Sequence, residues 1–486
     1  MMNHIKTVNL LLMTDVYKCG HLNQYIKGTE YVYSYLLARS TKNFEKSVFF
    51  GLQYYLKEYL TRPITHANVD EFMKVTKSVI GPSLTDNQTE QKLRDLADLG
   101  YLPLEIKAVP EGTVIDNKNV LLTIKNTLPN FGWVVGFVES VLLKIWFPIT
   151  VATTSYTYRK IVDKYFNETC QDLKYLNTFM VHDFGYRGDT SEESSMVSGS
   201  AHLLSFIGSD TLVTYNFLLK YYNAQSTLDA GKAILSSVPA SEHSVMCSFG
   251  KENELDAYAN MLELYPNGIV SIVSDTYDIY NVLTTIAKQL KPSILKRNGK
   301  VVFRPDSGNQ EHILCGDPSA EPSSPQGKGC LRLLDEEFGS TINAQGYKVL
   351  NDKVGLIYGD GMYLEKYERI LSKMKDMGFA SCNLVIGVGG ILRFCTRDTL
   401  GFAIKATNVI VNGESRAIFK DPVTDSGKKS HRGLISLEMN DGHYITKDNV
   451  SEEEEAGGLL KTVFLNGKLM VDEDLETIRT RVSKTL

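Results

Sequence analysis

VVFRPDSG, at residues 301–308, carries an apolar, strand-like run straight into arginine, aspartate, serine and glycine. Five more stretches are built the same way: VHDFGYRG (181–188), SVPASEHS (237–244), SIVSDTYD (271–278), GLIYGDG (355–361) and LVIGVGG (384–390). Their separation of roughly 30 to 60 residues suits a strand, a crossover helix and loops, so successive strands can lie parallel with their carboxyl ends together. Polar groups distant in sequence then converge on one rim, and the chemistry is expected there.

Between these stretches the pattern turns helical. Ile279, Val282, Leu283, Ile286 and Leu290 recur at helical spacing, as do Leu364, Tyr367, Ile370, Leu371 and Met374, with Gly378 placed to end the second helix. Thr190 and Glu193 stand at capping-box spacing before another. Residues before about 151 lack this rhythm and mix strand-like runs (31–37, 104–109) with a helical one (50–60). The most apolar stretch, 131–152, contains Glu139, Lys144 and Pro148. A charge at a membrane centre costs about 2.5–3.5 kcal/mol, so a buried helix followed by a turn is expected and a membrane span is not. Residues 315–330, rich in Pro, Ser and Gly, read as a surface excursion, and 451–458, with four consecutive Glu, as a solvated loop.

A chain of 486 residues has room for two or three domains. Its 43% hydrophobic and 22% charged residues are those of a soluble globular protein. Net charge of -5 and a pI near 6.1 give no footprint for nucleic acid, so an anionic ligand must be met by a local cluster. Seven scattered cysteines without CxxC spacing suggest neither a disulfide framework nor a zinc site, and reduced thiols in a cytoplasm are expected. The opening residues lack the apolar core and cleavage pattern of a signal peptide, so export is not expected.

Within the rim, Arg304-Pro305-Asp306-Ser307-Gly308 is the strongest local signal. Arginine suits a phosphate or an amide carbonyl, and aspartate suits ribose hydroxyls or hydrated magnesium; the alternative is an ion pair beside a tight turn. Gly359-Asp360-Gly361 and Gly387-Val388-Gly389-Gly390 each follow a strand-like run; Gly389 and Gly390 stand where backbone N–H groups can hold a phosphate, and plain turns are the alternative. Asp275 and Asp278, three apart where a strand gives way to a helix, can bind Mg²⁺ through water or cap that helix. His243, preceded by Glu242, can serve as base, acid or phosphoryl acceptor, with Glu242 orienting it if the side chains meet; a hydrogen-bonded structural histidine is the alternative. Phe184 and Arg187 offer a flat face and a guanidinium to an aromatic ring and its phosphate, or belong to the core and surface. Lys428, Lys429 and Arg432 form a small basic cluster that can meet pyrophosphate or remain wet surface.

These blocks, in this order, closely resemble the nicotinamide phosphoribosyltransferase family, type II phosphoribosyltransferases of NAD salvage. The resemblance runs through TDVYK at Thr14, KAVPEG at Lys107, PITVAT at Pro148, HDFGYRG at His182, EHS at Glu242, SDTYDIYN at Ser274, RPDSGN at Arg304, GDG at Gly359, TRD at Thr396 and KDPV at Lys420. It implies an irregular β/α barrel at 151–394 and a second α/β domain formed by both termini, 1–150 and 395–486, that completes a partner's active site in a homodimer. It further implies transfer of the phosphoribosyl group of 5-phosphoribosyl 1-pyrophosphate to nicotinamide. Phe184 and a partner's Tyr17 would sandwich the ring, with Asp210 and Arg304 on the carboxamide. Asp306, Gly359 and Asp360 would hold the ribose; Gly389, Gly390 and a partner's Arg397 and Lys405 the 5′-phosphate. Arg187, His243, Arg304, Lys420 and Lys428 would surround pyrophosphate, with magnesium at Asp275 or Asp278. His243 resembles the histidine that ATP phosphorylates in this family, a step that enhances the reaction. An aspartate at 210 welcomes an amide and repels the carboxylate of nicotinic acid, so nicotinamide is the expected base.

Three positions depart from the family pattern: Gly355 stands where animal members carry Arg, Ala403 replaces a small hydroxyl residue, and the loop at Gly387 is one residue shorter. The rivals are a nicotinate phosphoribosyltransferase, which Asp210 disfavours, and an idle nucleotide sensor, which would have no need of the leaving-group residues. An isomerase or aldolase would want a buried lysine or carboxylate base at the strand ends, and no such lysine stands out.

Overall fold

The computed structural model describes residues 9–82, 87–359, 361–424 and 428–486. The chain divides into two units, one of residues 1–153, 218–226 and 395–485, the other of residues 154–217 and 227–394 with the last residue.

The second unit is built on five parallel strands: β1 (Val181–Asp183), β2 (Asn267–Val273), β3 (Asn298–Arg304), β4 (Val354–Tyr358) and β5 (Leu384–Val388), in spatial order β1-β5-β4-β3-β2. Two extended stretches close the ring between β2 and β1. Gly208 and Ser209 form parallel bridges to Ser236 and Asp183, and Ala240 bridges Ser271. The result is an irregular β/α barrel in which every strand end points to one rim. β4 is buried along its whole length, and helices Ala287–Lys296 and Leu364–Asp376 connect strands by bringing an apolar face down on the sheet. Tyr367, Ile370, Leu371 and Met374 are buried, and Gly378 ends that helix at φ +79°, a conformation glycine adopts without steric cost.

Both termini of the chain build the first unit. Its seven-stranded antiparallel sheet runs Glu414–Ala417, Ala403–Val411, Thr29–Leu37, Val120–Asn126, Leu104–Ala108, Lys461–Leu465, Lys468–Leu469. Residues 218–226 belong here because Gln53 and Lys57 donate to the Tyr221 carbonyl at 2.7 and 2.9 Å and the Leu475 N–H donates to the Tyr222 carbonyl at 2.9 Å.

Several local expectations are corrected. The capping box before helix Glu192–His202 is Ser191 with Ser194, one residue beyond Thr190 and Glu193, because the Ser191 hydroxyl is the one that reaches the Ser194 N–H. The acidic run at 452–457 is a helix, capped by Ser451 and Glu454. Its Glu455 is buried against Lys107 at 2.6 Å, so this carboxylate is not solvated. Residues 325–338, half counted as excursion, form two helical segments that meet at a kink at Gly329, the first opened by Ser324 and Pro325. Pro148 begins rather than ends a helix: Trp146–Thr169 places it in the first turn, where a missing N–H costs nothing. The helical run Gly132–Thr169 is long and apolar enough to cross a membrane, and 61% of its most apolar window is buried.

Candidate active site

The rim is assembled around two glycines. Phe184 leaves the end of β1 with its N–H on the Val388 carbonyl at 2.9 Å, and its ring lies against Gly387 of β5. A Cβ at Gly387 would sit 2.3 and 2.4 Å from Phe184 Cδ2 and Cε2, so only glycine seats the ring. The same Cβ would lie 3.2 Å from the Gly359 Cα, and a Cβ at Gly359 would meet Asp306 Oδ1 at 2.3 Å and Arg304 Cδ at 3.9 Å. Phe184, Gly387, Gly359, Asp306 and Arg304 are thus contiguous: one aromatic face, a backbone floor, a carboxylate and a guanidinium. Arg304 Nη2 donates to the Ser241 carbonyl at 2.9 Å, which aims the fork. Its Nε is buried with no hydrogen-bond partner among the described residues.

Asp210 stands beside the end of β1, its N–H on the Asp183 carbonyl at 2.9 Å. Its Oδ1 receives His182 Nε2 at 3.0 Å and the Ser237 hydroxyl. Burial pushes the Asp210 carboxyl up, but the His182 and Ser237 hydrogen bonds and the charge of Arg304 outweigh it and hold the pKa below the usual value. Asp210 therefore presents an ionised, acceptor-only carboxylate.

His243 and Asp275 form a second group. Asp275 Oδ1 meets His243 Nε2 at 3.2 Å, while Oδ2 accepts the Asp306 N–H at 3.0 Å and the Ser307 hydroxyl at 2.5 Å. One buried carboxylate thereby ties the histidine to the turn at 304–308. Glu242 does not orient His243; its Oε1 takes the hydroxyl of Ser244, in the first turn of the helix it precedes. Asp278 caps the next helix, its Oδ1 accepting from the Tyr280 and Asn281 N–H groups at 2.9 and 3.3 Å, which leaves Oδ2 outside the cap.

The glycine loop follows β5. A Cβ at Gly188 would lie 3.1 Å from the Gly390 Cα, so the turn carrying exposed Arg187 abuts Gly389 and Gly390. Beneath it, buried Arg393 donates through Nη1 and Nη2 to the two oxygens of Asp183 at 2.6 and 2.9 Å and through Nε to Asp189 at 3.2 Å. Although burial opposes ionisation, the guanidinium holds Asp183 down at about 2. A charge pair this buried keeps the end of β1 locked to the glycine loop, since removing either partner would strand the other.

In the first unit, Lys405 lies on the strand Ala403–Val411. Burial holds its pKa below the usual lysine value, helped by the charges of Arg39, Lys420 and Arg397 and opposed by Glu139. These four cations gather in one place on a chain whose net charge is -5. Tyr17 is 65% exposed, over the buried Lys18 that pairs with Glu139 at 2.6 Å. Lys428 belongs to the same unit, and Asp360 lies outside the described residues. Among the described residues no group of three or more His, Cys, Asp or Glu side chains could hold a metal on its own.

Sequence reading named Arg304, Asp306, Phe184 and Gly359 and gave no role to His182, Ser237, Arg39 or Arg393. His182 and Ser237 lie within quoted motifs, which was signal enough to ask what they touch. Arg393 had none, because its partner is 210 residues away.

A family model described as the nicotinate phosphoribosyltransferase family matches residues 179–468, and one described as the nicotinamide phosphoribosyltransferase N-terminal domain matches residues 9–106. A nicotinamide phosphoribosyltransferase of Acinetobacter baylyi is 42% identical over 99% of this chain and 98% of its own length. One of Xanthomonas campestris pv. campestris is 38% identical over 97% of each. Among solved structures, nicotinate-nucleotide pyrophosphorylase from Pyrococcus furiosus superposes with a TM-score of 0.57 at 16% identity, covering 100% of this chain and 98% of that one. Human nicotinic acid phosphoribosyltransferase does so at 0.55 and 15%, covering 98% and 93%. These two likenesses establish the shared two-domain fold.

Proposed function

The chain belongs to the nicotinamide phosphoribosyltransferases of the nicotinate phosphoribosyltransferase family, and from that premise we propose that it joins nicotinamide to the phosphoribosyl group of 5-phosphoribosyl 1-pyrophosphate. The products are nicotinamide mononucleotide and pyrophosphate, in NAD salvage in the cytoplasm. The observation that carries this reading is the contiguity of Phe184, Gly387, Gly359, Asp306 and Arg304 at the barrel rim.

A flat pyridine fits against Phe184, and the partner subunit's Tyr17 covers its other face. Asp210 accepts the carboxamide N–H and the Arg304 guanidinium donates to its oxygen. Asp306 and Gly359, with Asp360, hold the ribose. Gly389 and Gly390 take the 5′-phosphate together with the partner's Arg397 and the partner's Lys405, which the cationic cluster of the first unit supports. Arg187, His243, Arg304, Lys420 and Lys428 surround the pyrophosphate. Catalysis then rests on bringing the ring nitrogen to C1′ and neutralising the leaving group, through an oxocarbenium-like transition state. Asp275 and Asp278 offer hard oxygen donors suited to magnesium held through water, since both oxygens of Asp275 are engaged by protein groups; the ion's chemistry there is to offset pyrophosphate charge.

His243 adds an ATP-linked step. With Nε2 turned to Asp275, Nδ1 is the nitrogen left to attack. The Nδ1–P bond forms as the bond from the γ-phosphorus to ADP breaks, and hydrolysis of the phosphohistidine later returns the free ring. The test is to supply nicotinamide, 5-phosphoribosyl 1-pyrophosphate and Mg²⁺ with and without ATP and to measure the mononucleotide. His243→Ala should keep slow turnover and lose the ATP stimulation; stimulation as large as in the parent enzyme would remove His243 from that role.

A further inference from the structure

The imidazole of His182 is wedged into the barrel wall in one orientation. It sits mid-strand in β1, opposite Gly387 in the parallel register of β5. Its ring packs on Phe184 with centroids 4.8 Å apart, tilted by 44°. On the other side a Cβ at Gly208 would fall 2.7 Å from His182 Nδ1, so a glycine there is what admits the ring. Held between these neighbours, the side chain is 12% exposed and directs Nε2 at Asp210 Oδ1 from 3.0 Å. The Ser237 hydroxyl donates to that same oxygen. Among the described residues Oδ2 receives no hydrogen bond, and it is the oxygen left to the pocket.

We propose that His182 is a positioning residue that sets base specificity: by holding Oδ1 of Asp210 as an N–H donor, it keeps the carboxylate an acceptor and presents Oδ2 to a carboxamide N–H. The inference rests on the reading of Asp210 given above and deepens it. A carboxylate that swung free could take a proton and then accept the carboxylate of nicotinate through an O–H donor. One clamped by two donors on a single oxygen presents only negative charge, which an amide satisfies and a second carboxylate does not. The contact with Phe184 couples the same residue to the ring face, so one side chain registers both the plane and the substituent of the base.

Two substitutions of the full-length enzyme separate positioning from mere packing. His182→Gln keeps an N–H at the reach of Nε2, and His182→Asn keeps the polarity but stops short of Asp210. The kcat and KM for nicotinamide and for nicotinate are measured at saturating 5-phosphoribosyl 1-pyrophosphate, with the KM for that substrate as control. In His182→Asn the KM for nicotinamide should rise about tenfold to a hundredfold, as for loss of a hydrogen bond to a charged group, with kcat changing less. The nicotinamide-to-nicotinate ratio of kcat/KM should fall by about tenfold or more. The KM for the phosphoribosyl donor should stay within about twofold, and His182→Gln should recover most of the loss. Equal behaviour of the two variants, or an unchanged ratio in His182→Asn, overturns the proposal. Failure of the underlying reading shows first and separately, as a parent enzyme that makes no mononucleotide from nicotinamide or an Asp210→Ser variant that keeps full preference for it.

Discussion

Gly387 is where a single hydrogen atom decides the pocket. A methyl group there would have to occupy space 2.3 Å from the Phe184 ring, well inside contact distance, and the ring must swing off the floor. Gly387→Ala should therefore raise the KM for nicotinamide by about tenfold or more while the protein stays folded, which steady-state kinetics and a melting curve together report. Glu111, in the first unit, tests burial rather than fit. Desolvation raises its carboxyl from 4.5 to about 7, against hydrogen bonds from the Gln53 and Gly51 backbones. The unfolded chain then loses that proton before the folded one does, so stability falls as pH climbs from 4.5 to about 7 and is level beyond. Glu111→Gln should abolish this loss, on the order of 3 kcal/mol, in urea unfolding compared at pH 5 and pH 8. Residues of this kind were unevenly legible. Arg304, Asp306 and Gly359 announced themselves because short turns at strand ends display them together. His182 and Asp210, 28 residues apart, meet only when β1 and the stretch after helix Glu192–His202 lie side by side.

The elements explain what periodicity can and cannot convey. Five of the barrel positions read as apolar runs and are strands, whereas 237–244 pairs only at Ala240, with its neighbour Ser236, and 206–210 did not register as a barrel segment. A segment joined by isolated bridges needs no apolar repeat, so none was there to find. Caps were legible to within a residue, since Ser, Thr and Glu cluster at helix starts and only geometry picks which hydroxyl reaches. Asp278 shows how a cap and a site can share a side chain. Asp278→Ala should cost about 1 kcal/mol through the lost cap. Asp278→Asn should retain that stability yet raise the Mg²⁺ concentration needed for half-maximal rate, if the carboxylate charge serves the ion. Thermal melting alongside a magnesium titration distinguishes the two effects, and an Asn variant with unchanged magnesium demand leaves Asp278 as a cap alone.

At the scale of the molecule, the proposed function divides the site between subunits, the cations of one chain's first unit serving the aromatic rim of a partner's second. That proposal makes a definite forecast. Tyr17→Ala and Phe184→Ala should each be severely impaired alone. Subunits of the two variants, mixed so that they exchange, should regain about one quarter of parental activity, because about half the dimers are then mixed and each holds one intact pocket. No recovery on mixing, with mixed dimers verified, would place Tyr17 and Phe184 in the same subunit's site. Composition says nothing at this level: a chain at -5 conceals a cluster of Arg39, Arg397, Lys405 and Lys420 that only folding assembles.

The two bridged stretches that close the barrel have one more implication. Asp210 and Ser237 ride on backbone that pairs through single bridges rather than ladders, while Arg304 and Gly387 sit on fully paired β3 and β5. Altering the former disturbs little of the scaffold, and altering the latter strains a framework fastened on both sides. Recognition of the substituent on the base, through Asp210, should accordingly be the trait that drifts most readily among descendants of this enzyme, and the seat of the ring at Gly387 the one that lineages preserve.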